Sequence, residues 1–573
     1  MYWQTWFYPL VEFFLMVYCS SRFRNRGGRS LSIAFGALLL STMSWRIVGF
    51  APGGYSEIKR IYEVLGYFNG VAYLFFAIFL IRGINELSGS ISQIPLISGG
   101  VSVNPSRSDV TRHLAASAVL NGISYRIRIL DHFKSKYKTF VREPGIDVPF
   151  LIRICKYFEQ KETRYQIAFM VISIAYLLTF LAIASGEAFL LITLLFFAIA
   201  WGVSLYKERS ERNWVFGCFQ REAFNPDEIS VPSSVAVDPE IAEFYSQNTQ
   251  NLIVYDSFIP FVGNGLDLGG WSFAVDLNSP KDHLGSSLRV IPFALKEMYA
   301  AIDRSLQELE FPGLTTQDLL YVNGSDLRDK KWILADLYSR PITNIPADKV
   351  TEFMEENEAS VRHYKCIQVA DWGHELVVSY FLRLSRRGKD LFVEVSKFLL
   401  TPIDDQYRKV DTLTEMNWSK NVQLASLCLI KTPINGFAAW IRLFNQIRKF
   451  IDKTFDTEGR VLRRQIWDNP LYNYGASTTL RQEMSKSRFD HYFQRLDQEM
   501  YVKTIEREIL ATIIKFLDAH NIETSELKER QTTIINSGII VQQGDVRAES
   551  VAVGAGAQAR KTVKMFLGGR GKE

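Results

Sequence analysis

The chain has 573 residues, 47% hydrophobic and 13% aromatic, with a formal net charge of +5. That length holds roughly two to four domains, and the apolar content excludes a largely disordered protein. So small a net charge excludes a global field for nucleic acid, which is not expected as a partner.

Residues 1–82 contain three apolar runs, Trp6–Cys19, Leu31–Phe50 and Val64–Ile81. Each approaches the roughly 20 residues needed to cross a bilayer, although the first is short and carries Glu12, and the second carries Arg46 near one end. No positive n-region or small-residue cleavage site accompanies the first run, so no cleaved signal peptide is expected. The five cysteines, Cys19, Cys155, Cys218, Cys366 and Cys428, stand singly, which fits a reducing compartment and not a disulfide scaffold.

Residues 83–164 read as a cytosolic linker followed by a basic amphipathic segment. The linker is rich in Ser and Gly. Beyond it, Arg126, Arg128, Lys134, Lys136 and Lys138 alternate with aromatic residues, a pattern suited either to anionic lipid headgroups or to a solvated helix face.

From Tyr165 to Tyr206 the chain carries one acid, Glu187, and no Lys or Arg. Two apolar stretches of nearly membrane-spanning length flank Ser185-Gly186-Glu187, which predicts a transmembrane hairpin over 165–206 and five crossings in all. Lys156, Lys161 and Arg164 before the hairpin and Lys207, Arg209 and Arg212 after it put both ends in the cytoplasm. Counting back places the N-terminus outside and the Arg-rich 20–30 loop inside, and the C-terminus is cytoplasmic.

Residues 207–412 predict a cytosolic α+β domain. The alternation in Val377–Leu384 and Leu391–Leu399, separated by Arg386-Arg387-Gly388-Lys389, predicts an antiparallel hairpin with one buried face. Further strands are expected at 252–255, 271–277, 319–322 and 363–369, and helices near 289–309, 326–339 and 347–358. Residues 413–530 read as a helical region, partly interfacial. Within it, 421–451 is apolar on one side, but Lys431, Pro433 and Asn435 weigh against a sixth crossing, because a central Lys costs about 2.5–3.5 kcal/mol on insertion. An amphipathic helix is expected over 497–520. The fold class is thus a membrane α-helical bundle plus a cytosolic α+β domain with an antiparallel sheet.

No catalytic motif is present, and no cofactor or metal site is expected. Gly263-Asn264-Gly265 begins a dinucleotide fingerprint, but the third glycine would fall at Leu268, so a glycine-rich turn is the simpler account. A ligand loop here would use Asp256, Gly263, Asn264, Gly265 and Asp267. His363 and Cys366 would face opposite sides of a strand, which argues against a shared metal. Asn469-Pro470 is first of all a turn former.

The tail, 531–573, alternates β-branched and small residues. Its "SVAVGAGAQA" resembles the head repeat of trimeric autotransporter adhesins, which implies an oligomerisation element and a homo-oligomer; tandem copies and an outer-membrane anchor are missing, and a flexible low-complexity tail is the alternative reading. The "NSGIIVQQGDV" stretch resembles tails of bacterial conflict-system proteins. The order of the hairpin, "NLIVYDSFIPFVG", "GWSFAVDL" and "ELVVSYFLRL" resembles uncharacterised bacterial, actinobacterial-type, multi-pass membrane proteins over about 160–450. These resemblances imply an inner-membrane protein in contact with the lipid bilayer. The likeness transfers no function. A large cytosolic region paired with few membrane helices and no catalytic motif points to a domain that binds a small ligand or protein and is coupled to its helices, as in a channel-like anti-phage effector. The competing readings are a membrane-tethered enzyme and a passive lipid-binding scaffold.

Overall fold

The computed structural model describes residues 108–536, with interruptions at 183–186, 230, 233–234, 248, 284–285, 357 and 456. The three N-terminal runs and the tail beyond 536 lie outside the described residues. Among the described residues four helices precede the short helix Pro239–Gln247 and the sheet. They are α1 (Asp109–Leu120), α2 (Gly122–His132), α3 (Val148–Ala182) and α4 (Glu187–Cys218). Ser108 caps α1 by accepting from the Thr111 amide at 3.0 Å. Both α1 and the first turns of α3 are buried with the last turn of α4 in one core, through Leu114, Phe150, Leu151, Val215 and Phe219. α3 and α4 then run antiparallel out of that core, joined by Tyr176 Oη and Thr193 Oγ1 at 3.3 Å and by the Tyr176 and Phe196 rings.

After α5 (Pro239–Gln247) come β1 (Leu252–Tyr255), β2 (Leu266–Asp276), a short ribbon of β3 (Asp282–His283) and β4 (Ser286–Ser287), α6 (Leu295–Gln307), β5 (Leu314–Asn323), α7 (Ala347–Glu355), β6 (Val361–Asp371), β7 (Leu376–Arg387) and β8 (Asp390–Leu400). Six strands form one sheet in the order β1-β5-β6-β7-β8-β2. It is mixed, not antiparallel throughout as the sequence reading had it, because β1 pairs parallel to β5, with Leu252 opposite Leu320. The connection between those two strands contains α6, which supplies the long return that a parallel pair needs.

The β7–β8 hairpin forms as its alternation predicts, turning at Gly388 with φ of 61°. It differs in being buried on both faces. Leu382, Leu384, Val393 and Val395 pack under α6 and α11 (Tyr492–Ala519). On the opposite face Phe381 and Phe398 meet Phe261, Tyr321, Tyr364 and Val141 in an aromatic cluster, with Phe261 stacked on Phe381 at 4.2 Å. No helix forms over 326–339. There the Asp336 side chain accepts from the Tyr338 amide and Ser339 bonds back to Asp336, so local side-chain turns win over the helix. Asn469-Pro470 is a turn, with Asn469 Oδ1 accepting from the Leu471 amide at 3.0 Å.

Beyond β8 the chain passes through 401–417 into α8 (Trp418–Phe455), then α9 (Thr457–Asp468), the single turn α10 (Leu480–Glu483), α11 and α12 (Ser525–Asn536). α8 lies along the hairpin and runs in the direction of α4. Trp201 Nε1 donates to the Ala425 carbonyl at 2.9 Å, and Thr432 meets Ser204. Among the described residues three helices are long and apolar enough to cross a membrane, over Val148–Phe180, Leu191–Cys218 and Trp418–Arg442. The third contains Lys431, whose ammonium pairs with Glu208 of α4 at 3.0 Å.

Candidate functional site

The residues proposed for a ligand loop are engaged in holding the loop itself. Asp256 Oδ2 accepts from Lys138 Nζ at 2.7 Å. The Asn264 amide donates to the Phe261 and Val262 carbonyls, and Asp267 Oδ1 accepts from the Gly269 amide at 2.7 Å. Gly263 (φ 85°) and Gly265 (φ 84°) take the left-handed conformations that glycine supplies freely. A Cβ on Gly265 would lie 2.3 Å from the Leu399 carbonyl oxygen. Both glycines are thus explained by the turn into β2 and by its close approach to β8. Among the described residues no group of three or more His, Cys, Asp and Glu could hold a metal ion.

The proposed headgroup residues divide. Arg126 is 1% exposed, donating to the Ala118 carbonyl at 2.9 Å and to Glu162 at 3.3 Å, so it offers nothing to a membrane surface. Arg128, Lys134 and Lys136 are exposed, with Lys134 paired to Glu458, and Lys138 is held on Asp256. His363 and Cys366 point to opposite sheet faces, as their spacing predicts. Burial pushes the Cys366 thiol up to about 12, far from a reactive thiolate.

Three charged clusters were not legible as motifs. The first lies under α6, where Lys365 Nζ bridges Asp303 at 2.7 Å and Asp318 at 2.9 Å, and His363 Nε2 meets Asp318 at 2.9 Å. Cross-strand pairing puts Asp318 opposite Lys365. Burial pushes His363 below its ordinary value in spite of Asp318, so the ring is neutral and donates Nε2–H to the carboxylate. Burial would raise Asp318, but the His363 bond and the Lys365 charge outweigh it and hold Asp318 low.

The second cluster joins the sheet to α1. The β6–β7 connection, Trp372-Gly373-His374, has φ of 54°, 62° and 68° at three successive residues, two of them non-glycine. Such backbone costs of order 1 kcal/mol per non-glycine residue and needs outside support. Trp372 stacks on His491 and donates Nε1–H to Asp497 at 2.9 Å. Arg481, fully buried, donates to the His374, Glu375 and Thr401 carbonyls. Glu375, at the end of this turn, bonds Arg408 and the Ile403 amide, and stands 3.5 Å from His113 Nδ1. His113 Nε2 meets Asp411 at 2.7 Å, and the neighbouring Arg112 pairs with Asp411 and donates to the Phe219 carbonyl just past α4. Burial lowers His113, but Asp411 and Glu375 outweigh it and hold it above its usual value. Both carboxylates are held below theirs. A continuous polar path therefore runs from the β6–β7 turn at the end of the central strands to the foot of the helical hairpin.

The third is an ionic layer across the bundle. The Glu162 carboxylate of α3 receives Arg126 of α2 at 3.3 Å, Lys207 of α4 at 2.5 Å and Arg442 of α8 at 3.1 Å. One nearly buried acid thereby fastens four helices where the apolar part of the hairpin begins. Partners 36 to 280 positions apart in sequence explain why no local pattern announces it.

Comparison with known families bears on the sheet and α8 together. Residues 270–548 match the model of the AbeC-like domain, so that this part of the chain is similar to that family. The match starts inside β2 and takes in β5 to β8, the Lys365 cluster, Glu375, α8 and α11, whereas α1, the α3–α4 hairpin and β1 precede it. No curated protein and no solved structure matches the chain.

Proposed function

We propose that this is a bacterial inner-membrane protein of the abortive-infection type, whose α+β domain responds to a ligand or protein and acts through its apolar helices. In this reading the protein is multi-pass and oligomeric, with its N-terminus outside and its C-terminus cytoplasmic. The observation that carries it is the path of α8. The helix leaves the sheet within the stretch similar to the AbeC-like domain, then lies along the apolar hairpin and shares its ionic layer. A domain that supplies one of three candidate membrane helices is mechanically continuous with the bundle. The Glu375–His113–Asp411–Arg112 path gives a second connection, from the strained 372–374 turn to the foot of α4.

The outward residues of these helices support lipid as their surroundings. Leu191, Leu194, Ile430 and Ile434 are exposed, whereas the side of α8 against the hairpin carries Leu424, Cys428, Thr432 and Ala439. Mostly small residues inward and large apolar residues outward is the arrangement of a helix packed in hydrocarbon. The test is carbonate extraction of cell membranes containing the full chain, followed by membrane-potential measurements on expression. Retention in the pellet with depolarisation supports the proposal. Release into the supernatant overturns the membrane reading, and retention without any effect on potential or growth overturns the effector reading.

A further inference from the structure

The sheet ends on β1 at one side and on β2 at the other, and the two edges differ. Beyond β1, the Ala476 amide donates to the Val254 carbonyl at 3.0 Å and the Asp256 amide donates to the Ala476 carbonyl at 2.9 Å, so that edge is covered. β2 is longer, 11 residues against four, and pairs with β8 alone. Among the described residues no main-chain group bonds to its outer edge. Sheet edges are ordinarily blunted by a charge, a proline, a bulge or a covering segment. After its opening bulge between Asp267 and Gly270, β2 keeps regular register with β8 as far as Asp276, and Gly270 to Val275 contains neither charge nor proline.

The last described helix carries the chain back to this edge. Just past β2, the Lys281 amide donates to the Asn521 carbonyl at 2.9 Å, and the Glu523 amide donates to the Ser279 carbonyl at 3.0 Å. Asp518 of α11 holds Lys281 at 3.2 Å on one oxygen and Lys528 of α12 at 3.0 Å on the other, which ties the start of α12 to the β2 side of α11. α12 folds back against α11, with Leu527 in the shared core. Its 12 residues rise about 18 Å, as far as from Asp518 back to Glu506, whose carboxylate accepts from the Trp271 indole at 3.0 Å in the middle of β2. The chain beyond Asn536 therefore sets out level with the uncovered edge.

The sequence that follows suits that edge. Ile539-Ile540-Val541-Gln542-Gln543 stands between Gly538 and Gly544 and opens with three β-branched residues. In an extended chain Ile539 and Val541 share one face, and Ile540 and Gln542 the other. On β2 the core face carries half-buried Trp271 beside buried Phe273, whereas Ser272 and Ala274 are exposed on the opposite face. Ile539 and Val541 set beside Trp271 and Phe273 extend the core, and Gln542 stays in water. The stretch similar to the AbeC-like domain, 270–548, takes in both the edge strand and this segment.

We propose that residues 539–543 add to the outer edge of β2 in the same chain, as a further strand over Gly270–Asp276. Strand addition here is independent of the membrane reading.

The test is disulfide formation in the full chain, with the unsubstituted protein as the control for its native cysteines. Among the four pairings of S272C or A274C with I540C or Q542C, at least one lies in register and is expected to close a disulfide within one chain, found as a linked peptide pair at monomer mass. S272C or A274C with V541C, whose thiol points to the core face, is expected to give none. No closure in any of the four, or equal closure with V541C, overturns the inference. A covalent dimer in place of the internal link assigns the edge to a second copy's tail and overturns it too. A second measurement uses I540P/V541P, because successive amides of a strand point to opposite sides and one of the two must face β2. Amide exchange over 270–276 is expected to rise severalfold in that variant while exchange in β7 stays the same, and unchanged exchange over 270–276 overturns the inference.

Discussion

Lys431 of α8 and Glu208 of α4 lie 3.0 Å apart although 223 positions separate them in the chain. Alone, the lysine counts against membrane insertion. Paired, it ties α8 to α4 at the level of the ionic layer around Glu162. Reversing it with K431E sets two acids against each other at that level and is expected to cut the membrane-inserted fraction, by up to the roughly 2.5–3.5 kcal/mol of an unpaired charge. The double variant E208K/K431E restores the pair, and quantitative membrane fractionation of the three proteins reads the difference. Equal insertion of K431E and the unsubstituted chain would show that α8 does not share the layer.

That pair also shows where sequence reading stops. The hairpin over 165–206 and the β7–β8 pair were legible because their signals are local, an apolar run in one and a period-two alternation in the other. The direction of β1 was not, since a four-residue strand carries no mark of whether its partner runs parallel. Nor were the Lys431–Glu208 and Arg126–Glu162 pairs legible, because their members stand 223 and 36 positions apart in the chain. The glycines at 263 and 265 were correctly suspected of making a turn. Nothing near them foretold the junction at Glu375, whose partners His113 and Arg408 lie on opposite sides of it in the chain.

The His113 junction should make stability depend on pH. Asp411, Glu375 and Arg112 act on the ring, and Arg408 and Arg481 act on Glu375 behind it. His113 is raised above its unfolded value, so its contribution is fully present below about pH 6.5 and lost as pH rises through its folded value. Asp411 and Glu375 are lowered, so theirs is present above about pH 4 and lost on acidification. Thermal unfolding of the detergent-solubilised chain should therefore show a contribution that peaks between about pH 4.5 and 6.5. In H113A the decline above pH 6.5 should flatten and the acid limb should shrink, because His113 also helps hold Asp411 and Glu375 low, leaving Arg112, Arg408 and Arg481 to sustain what remains. An unchanged alkaline slope would remove His113 from the coupling path.

Lys365 tests whether the cluster under α6 is a scaffold or a reactive site. Replacing it with methionine leaves Asp303 and Asp318 facing each other without their cation, and the half-open position of both carboxylates limits the cost to about 1–2 kcal/mol. D303N/K365M/D318N removes the charges together and should recover most of that loss in a chemical denaturation series. H363Q is expected to leave the growth phenotype intact, because a neutral ring held on Asp318 is there to position the strand. Loss of the phenotype in H363Q at normal protein levels would favour a membrane-tethered enzyme.

Two glycines separate backbone conformation from close approach. Gly265 and Gly388 both have positive φ, 84° and 61°, and an alanine at either pays the left-handed penalty of about 1 kcal/mol. Around Gly388 a Cβ meets nothing within 4 Å, whereas at Gly265 it would meet the Leu399 carbonyl oxygen at 2.3 Å and force β2 away from β8. G388A should therefore cost about 1 kcal/mol and G265A roughly 2–3 kcal/mol, measured as shifts in denaturation midpoint at constant slope. If Gly265 instead served a phosphate-bearing ligand, G265A would leave unfolding close to that of G388A and abolish a ligand-induced rise in Tm. The 2.3 Å approach to Leu399 makes the opposite order the expected one.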